Sequence, residues 1–283
     1  MKKFELDAKT DIAWCPGCGN FNIRTALISA LQELNIEPTN VVFSSGIGQA
    51  AKMPQYINAN YFNGLHGRGL PVAVAIKASN PSLTVIAEGG DGDMYGEGGN
   101  HFIHNVRRNP DIAHIVHNNM VYGLTKGQAS PTSQKDFVTP VQINGVTNEP
   151  FNPLAVALLL GATFVARAFS GDLEQTKNII KQAILHKGYS LVDIFHPCVT
   201  FNKLNTFSWY KNHSYYVDED YDASEIKNAM EKVVNTDMYA LGILYQKEGK
   251  SSFEEQLNIY KQDETPIVFR KRDIGKVNNL MKD

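Results

Sequence analysis

Two short polar clusters carry most of the chemistry that can be read from this chain. Gly90-Asp91-Gly92 follows the apolar run Leu83-Thr84-Val85-Ile86-Ala87, and Asn118-Asn119 follows a second, Ile112-Ala113-His114-Ile115-Val116. Asp91 offers a hard carboxylate and Asn119 a neutral amide oxygen. With the backbone carbonyl of Val121 they make the protein's share of a Mg2+ shell, which takes about six oxygens and commonly divides them with phosphate and water. Gly90 and Gly92 let the main chain approach a ligand closely, and helix N-termini present N–H groups to an anion. These residue types point to a cation gripping a diphosphate. The plain alternative is a glycine turn followed by an asparagine turn. Between the clusters lie the 25 residues from Asp93 to His117, long enough for one helix that crosses over to a neighbouring parallel strand. Both clusters then stand at the carboxyl ends of adjacent strands, where open α/β sheets bind ligands.

Other residues add to this chemistry. Cys15-Pro16-Gly17-Cys18 turns two thiols to one side, an arrangement shared by zinc sites, redox disulfides and iron–sulfur clusters. No strand precedes it, which argues against a thioredoxin-like motif. Ser44-Ser45-Gly46-Ile47-Gly48 is another small-residue loop at a strand end. His66 sits in a glycine-rich loop where an imidazole can handle protons or polarise a carbonyl. Lys52 is a candidate for meeting a substrate carboxylate, although a solvated lysine is the plain reading. Gly123-Leu124-Thr125-Lys126 can hydrogen-bond a diphosphate, and Lys126 can pair with a distal carboxylate.

The elements that must position these groups alternate between strand and helix. Ile23, Leu27, Leu31 and Leu34 predict a helix over 21–35, followed by a buried strand at 41–43. Pro71 predicts a helix start, and a crossover helix spans about 98–108. A helix at 153–160, a strand at 163–168, a helix from Leu173 and a strand at 190–195 continue a parallel α/β layout. Residues 130–150, with three prolines, read as a surface loop over the site. Beyond Cys198 the pattern weakens, apart from a helix through Ile226, Met230 and Val233 and a strand at 239–245. The expected fold is an open, mainly parallel sheet with helices on both faces.

The chain has 283 residues, 43 % of them hydrophobic, with 27 basic against 29 acidic side chains. That balance gives no broad basic surface for nucleic acid. The richest apolar stretch, Leu154 to Leu160, is too short to span a bilayer, and no secretory signal is visible. Three cysteines do not suggest a disulfide framework. A cytoplasmic protein without a membrane partner is expected.

The Gly-Asp-Gly and Asn-Asn clusters at this spacing resemble the thiamine diphosphate signature. The longer string NNMVYGLTKGQASPTS, with WCPGCG and LHGRGLP, resembles the β subunit of 2-oxoacid:ferredoxin oxidoreductases in its short, separate-chain form. The resemblance implies a single thiamine diphosphate-binding (pyrophosphate) domain over 1–283, with residues 1–20 an arm carrying the C-x-x-C and 199–283 an extension suited to facing a partner. It places Asp91, Asn119 and Val121 on Mg2+, and Gly46, Ile47, Gly48, His66, Gly90, Gly92, Asp93, Gly123, Leu124 and Thr125 around the cofactor, with His66, Lys52 and Lys126 as catalytic candidates. It implies oxidative decarboxylation of a 2-oxoacid with coenzyme A, electrons passing through iron–sulfur clusters to ferredoxin. It also implies a companion α (or fused γ–α) subunit supplying the second half of the thiamine site. Cys15, Cys18 and Cys198 match cluster ligands of the family. Where the family has its third cysteine, after Gly48, this chain has Gln49, a poor ligand for cluster iron. That departure leaves four outcomes open: a 4Fe–4S cluster with one non-cysteine ligand, a 3Fe–4S cluster, another metal, or none. It also leaves open a thiamine-dependent non-oxidative decarboxylase or synthase subunit.

Overall fold

The computed structural model describes residues 3–6, 10–235 and 237–282. Eight strands form one sheet: β1 Val41–Ser45, β2 Asn60–Asn63, β3 Thr84–Gly90, β4 Ile112–Asn118, β5 Phe164–Phe169, β6 Tyr189–Phe195, β7 Ser214–Tyr216 and β8 Tyr239–Gln246. Their order is β2-β1-β3-β4-β6-β5-β8-β7, and every pairing is parallel except β5 with β8. Helices α1 Asn20–Glu33, α2 Gly69–Ser79, α3 Gly99–Arg108, α4 Pro153–Leu159, α5 Leu173–Leu185, α6 Phe207–Asn212 and α7 Ile226–Val234 accompany it.

Successive strand residues feed opposite faces. Ile86, Ile115, Val192 and Ile194 join α1 and α5 in one core, while Val85, Val116, Leu191 and Val165 pack with α2, α3, α4 and α7 in the other. A central strand covered on both faces needs apolar residues at nearly every position, which is why these strands read as continuous runs. No described helix is long and apolar enough to cross a membrane.

Two expectations need correction. The helix expected to start at Pro71 begins two residues earlier, at Gly69. Strands β3 and β4 run further than their apolar cores, through Gly90 and Asn118, because Glu88, His117 and Asn118 are buried as strand residues. Within residues 199–283, β8 pairs with β5 and β7 with β8, so these two strands belong to the same sheet. The N-terminal arm is likewise anchored, with Phe4 fully buried in the α1-side core.

After β1 the chain moves outward to β2 and then returns to the far side of β1 as β3. The loops leaving β1 and β3 therefore diverge at a topological switch point, the usual crevice for a ligand in such sheets. Gly46–Gly48 and Gly90–Gly92 are those two loops.

Candidate functional site

Strands β3 and β4 pair in register, Gly90 opposite His117, so Asp91 and the two asparagines leave the sheet side by side. Asp91 is almost fully buried. Burial raises its carboxyl to about 6, while the hydroxyls of Ser130 and Thr132 and the backbone N–H of Asn119 work against that rise. The Thr132 hydroxyl lies 2.6 Å from Asp91 Oδ2 and 3.0 Å from Asn118 Oδ1. It has one proton to give, and a charged carboxylate is the stronger acceptor. Asn119 Oδ1 accepts from Val121 N–H at 3.1 Å, which turns the chain just beyond β4. Met120 between them adopts a left-handed φ of 56°. Asp91 and Asn119 thus meet through the Asn119 backbone N–H, and Val121 follows two residues on.

Asp93, expected around the cofactor, is bonded to two neighbouring loops. Its Oδ1 accepts from Ile47 N–H at 3.1 Å and Gly67 N–H at 2.8 Å, and His66 Nδ1 approaches the same oxygen at 2.7 Å. A side chain at Gly46 would collide with this carboxylate. Asp93 therefore ties the β1 loop, the His66 loop and the β3 loop together. Burial raises its carboxyl above the ordinary value, against the pull of those N–H groups and of His66. His66 Nδ1 also lies 3.4 Å from Glu97 Oε2, and its ring is one-third exposed, 34 %.

Gly92 and Gly96 belong to a single π-helical turn, Gly92–Glu97, that leads into α3. Side chains at either glycine would run into Tyr122, whose hydroxyl, with one proton to give, lies 3.2 Å from Gly92 O and 3.0 Å from Glu97 Oε2. Residues 122–128 close on themselves through Tyr122 N–H to Gln128 O at 2.9 Å and Gly127 N–H to Tyr122 O at 2.8 Å. Within that ring the Thr125 hydroxyl donates to Gln128 Oε1 at 2.6 Å, so it is engaged locally. Leu124 and Lys126 are exposed, Lys126 with a φ of 78°. Lys52 is half-buried in the 3-10 turn Ala50–Tyr56 after the β1 loop.

The three cysteines share one neighbourhood. Cys18 N–H bonds Cys15 O at 3.0 Å around Gly17, whose φ of 80° suits a Pro-Gly turn. Thr200 Oγ1 donates to Cys15 Sγ at 3.2 Å, and a side chain on Gly123 would stand 3.6 Å from Cys198 Sγ. Burial pushes the Cys18 thiol up to about 11, and Cys198 and Cys15 add to that rise. Among the described residues no three His, Cys, Asp or Glu side chains are grouped closely enough to hold a single metal ion. Gln49 lies at the same place: its backbone carbonyl accepts from Trp14 Nε1 at 2.8 Å, and its Oε1 is buried without a hydrogen-bond partner.

Several contributors escape a reading of the sequence. Thr132 lies in a stretch expected to be surface loop, yet it is buried against Asp91. Asp193 sits inside the apolar strand β6 and takes both Asn118 Nδ2 contacts, at 3.1 and 3.2 Å, and the Tyr95 hydroxyl at 2.9 Å. Its only signal is a charge in an otherwise apolar run.

Residues 42–194 match the family model of thiamine pyrophosphate enzymes, C-terminal TPP binding domain, and residues 198–262 match the model for the C-terminal part of the pyruvate ferredoxin oxidoreductase β chain. The 2-oxoacid:ferredoxin oxidoreductase subunit beta of Saccharolobus solfataricus is 44 % identical over 258 residues, covering 86 % of this chain and 85 % of that one. Subunit beta of 2-oxoacid:ferredoxin oxidoreductase 2 from Aeropyrum pernix is 40 % identical over 271 residues, 91 % and 88 % of the two chains. Among solved structures, a 2-oxoglutarate:ferredoxin oxidoreductase from Magnetococcus marinus, with 2-oxoglutarate, coenzyme A and succinyl-CoA bound, superimposes with a TM-score of 0.91 at 34 % identity, covering 100 % of this chain and 96 % of that one. The chain belongs to the β-subunit family of 2-oxoacid:ferredoxin oxidoreductases and carries that family's thiamine pyrophosphate-binding domain.

Proposed function

We propose that this chain holds Mg2+ and the diphosphate of thiamine diphosphate for the oxidative decarboxylation of a 2-oxoacid with coenzyme A and ferredoxin. The observation that carries the reading is the meeting of Asp91 and Asn119 at the ends of neighbouring strands. The residues fit the cation: Asp91 is buried with only neutral donors around it, so a positive charge is what the site lacks. Asp91, Asn119 Oδ1 and the Val121 carbonyl would hold it. They fit the diphosphate too: Gly48, with φ 131°, has no atom within 4 Å of where a side chain would begin, and Gly90 is nearly as open.

Thiamine diphosphate, when bound, supplies the electron sink for loss of CO2. The chain's own part is to position. Asp93 sets the Gly46-Ile47-Gly48 loop against the His66 loop, and Gly92 admits the Tyr122 ring that braces Gly123-Leu124. His66, with Nδ1 turned to two carboxylates, has Nε2 to hold or move a proton near the 2-oxo group. Lys52 and Lys126 are assigned to meet substrate carboxylates; 2-oxoglutarate, held by the solved relative, is the first 2-oxoacid to assay. Cys15, Cys18 and Cys198 would hold an iron–sulfur cluster; the amide of Gln49 does not fit a fourth thiolate position.

Titration calorimetry with Mg2+ and thiamine diphosphate tests the binding half, and absence of saturable heat would sink it. The activating carboxylate for the aminopyrimidine is assigned to a companion α or γ–α subunit. The chain alone should turn over no 2-oxoacid, and activity should return with that companion, coenzyme A and ferredoxin. Gln49, standing where the family has a cysteine, favours a second reading, a non-oxidative decarboxylase or synthase subunit without a complete cluster. Iron and acid-labile sulfide in anaerobically prepared protein, with EPR, separate the two.

A further inference from the structure

Behind the Asp91 site, between the sheet and α4 and α7, lies a cavity of about 460 Å³ that includes Asn118, Thr132, Arg167, Asp193, Phe195 and Tyr239 in its wall. Arg167 is 4 % exposed, and its Nε and Nη1 have no hydrogen-bond partner. Its Cζ lies 5.1 Å from the Phe195 ring centre and 5.2 Å from that of Tyr239. The two rings attract the cation but their faces give its N–H groups no hydrogen-bond acceptor. Asp193 is its register neighbour on β6 and its charge supports the guanidinium, yet the Asp193 carboxylate is bonded by Tyr95 and Asn118 and forms no ion pair with Arg167. Burial lowers the guanidinium's affinity for its proton, but not enough to neutralise a group of this basicity. A buried guanidinium in a cavity wall whose N–H groups meet no acceptor leaves hydrogen bonds for a ligand to complete.

We propose that this cavity is a binding site for a small organic monocarboxylate with an apolar body, its carboxylate seated on the free edge of Arg167. The planar N–H edge matches a planar carboxylate in two parallel hydrogen bonds. Asp193 in the same wall disfavours a second negative charge, which selects against phosphate and dicarboxylates. Phe151, Met120 and Val233 add apolar surface to a wall that also carries Gln134, Glu149 and Asn152, and the volume lies in the range of small-molecule sites. The site is separate from the cation site but shares its partition: Asn118 bonds Asp193 on one side and Thr132, the partner of Asp91, on the other.

Benzoate and its neutral counterpart benzamide test this on the full chain by titration calorimetry. Benzoate should bind saturably, with benzamide at least about tenfold weaker. Arg167→Met should weaken benzoate by at least about tenfold while leaving Mg2+–thiamine diphosphate titration unchanged, which keeps this outcome distinct from that of the cofactor reading. Should Arg167→Met not fold, Arg167→Lys retains the charge without the fork and should weaken benzoate severalfold. A wild-type crystal soaked with para-iodobenzoate should show iodine in the cavity. Equal binding of benzamide, undiminished binding by both variants, no saturation up to about 20 mM, or iodine only elsewhere overturns the proposal.

Discussion

The Asp91 site and the three-cysteine pocket are a short distance apart in the chain's architecture and differ in how complete they are. Around Asp91 almost every polar group is answered from within the chain: Thr132 bonds the carboxylate, Asn119 bonds Val121, and Asn118 is held by Asp193. These groups leave two adjacent strands of the central sheet, so their spacing is set by the ladder. The cysteines come from an N-terminal turn and from the segment after β6, and Gln49 comes from the loop after β1. Cys15 is exposed and Cys18 is protonated by burial. A site built on paired strands stays formed without its ligand, whereas one gathered from three loops depends on the group it binds to draw its donors together.

The largest effect expected from that contrast is at Asp91. Replacing it by Asn keeps shape and removes the charge. Altering groups behind a metal ligand typically costs about 10–100-fold in affinity, so losing the ligand's charge should cost at least about 100-fold in Mg2+–thiamine diphosphate binding. Calorimetry reads this directly. An Asp91→Asn chain that still bound the cofactor normally would place the cation elsewhere and remove the basis of the contrast.

Acid should reproduce part of that loss reversibly. The Asp91 carboxyl titrates at about 6, raised from 3.8 by burial. The cation needs the ionised form, so its apparent affinity should be level above pH 6 and fall by up to about tenfold per pH unit below it. Stability runs the other way. Without metal, the folded chain holds this proton more tightly than the unfolded chain, so ionisation of Asp91 costs folding free energy as pH rises through 6. Relative to wild type, metal-free Asp91→Asn should therefore gain up to about 3 kcal/mol above pH 6 and nothing below about pH 4. Paired urea melts across that range would show it, and a pH-independent difference would contradict the buried, unpaired state of Asp91.

What the sequence discloses divides along the same line. The strands and the spacing of Asp91 and Asn119 are legible because a sheet covered on both faces imposes apolar runs and a crossover imposes a length. Glu88 and His117 hide the true strand ends, since buried polar residues look like loop. Thr132 is unreadable for another reason: its partner lies 41 positions away, and its own surroundings, Ser-Pro-Thr-Ser, look like any exposed turn. Arg167 in β5 and the pairing of β8 with β5 depend on contacts that no local pattern records. The cysteine neighbourhood is legible only through family resemblance, because the chain's own pattern leaves one position filled by Gln49.

Thr132→Val should produce a smaller change. It removes the donor at 2.6 Å from Asp91 Oδ2 while keeping the side chain's volume. Loss of a hydrogen bond to a buried charge should lower stability by about 1.5–3 kcal/mol at pH above 6, and by less near pH 5, where Asp91 carries its own proton. Thermal melts at the two pH values measure the difference. If the cost were the same at both, Thr132 would be acting through packing rather than through the carboxylate.

The smallest effect on the cofactor should come from the cysteine pocket, and its smallness is informative. Cys198 packs beside Val121, whose carbonyl is proposed for Mg2+, so the two regions touch. Were the Asp91 site held by its strands, Cys198→Ser would leave Mg2+–thiamine diphosphate affinity within about twofold while lowering the iron and sulfide retained on anaerobic purification. Gln49→Cys should act in the opposite sense on iron alone, because a thiolate in place of an amide completes a soft donor set. Its backbone carbonyl would still hold Trp14, so the turn bearing Cys15 and Cys18 should keep its position. Unchanged iron in both variants would mean that the three thiols hold no cluster. A large loss of cofactor affinity in Cys198→Ser would mean that the strands alone do not fix Val121, and the two regions would then have to be treated as one site.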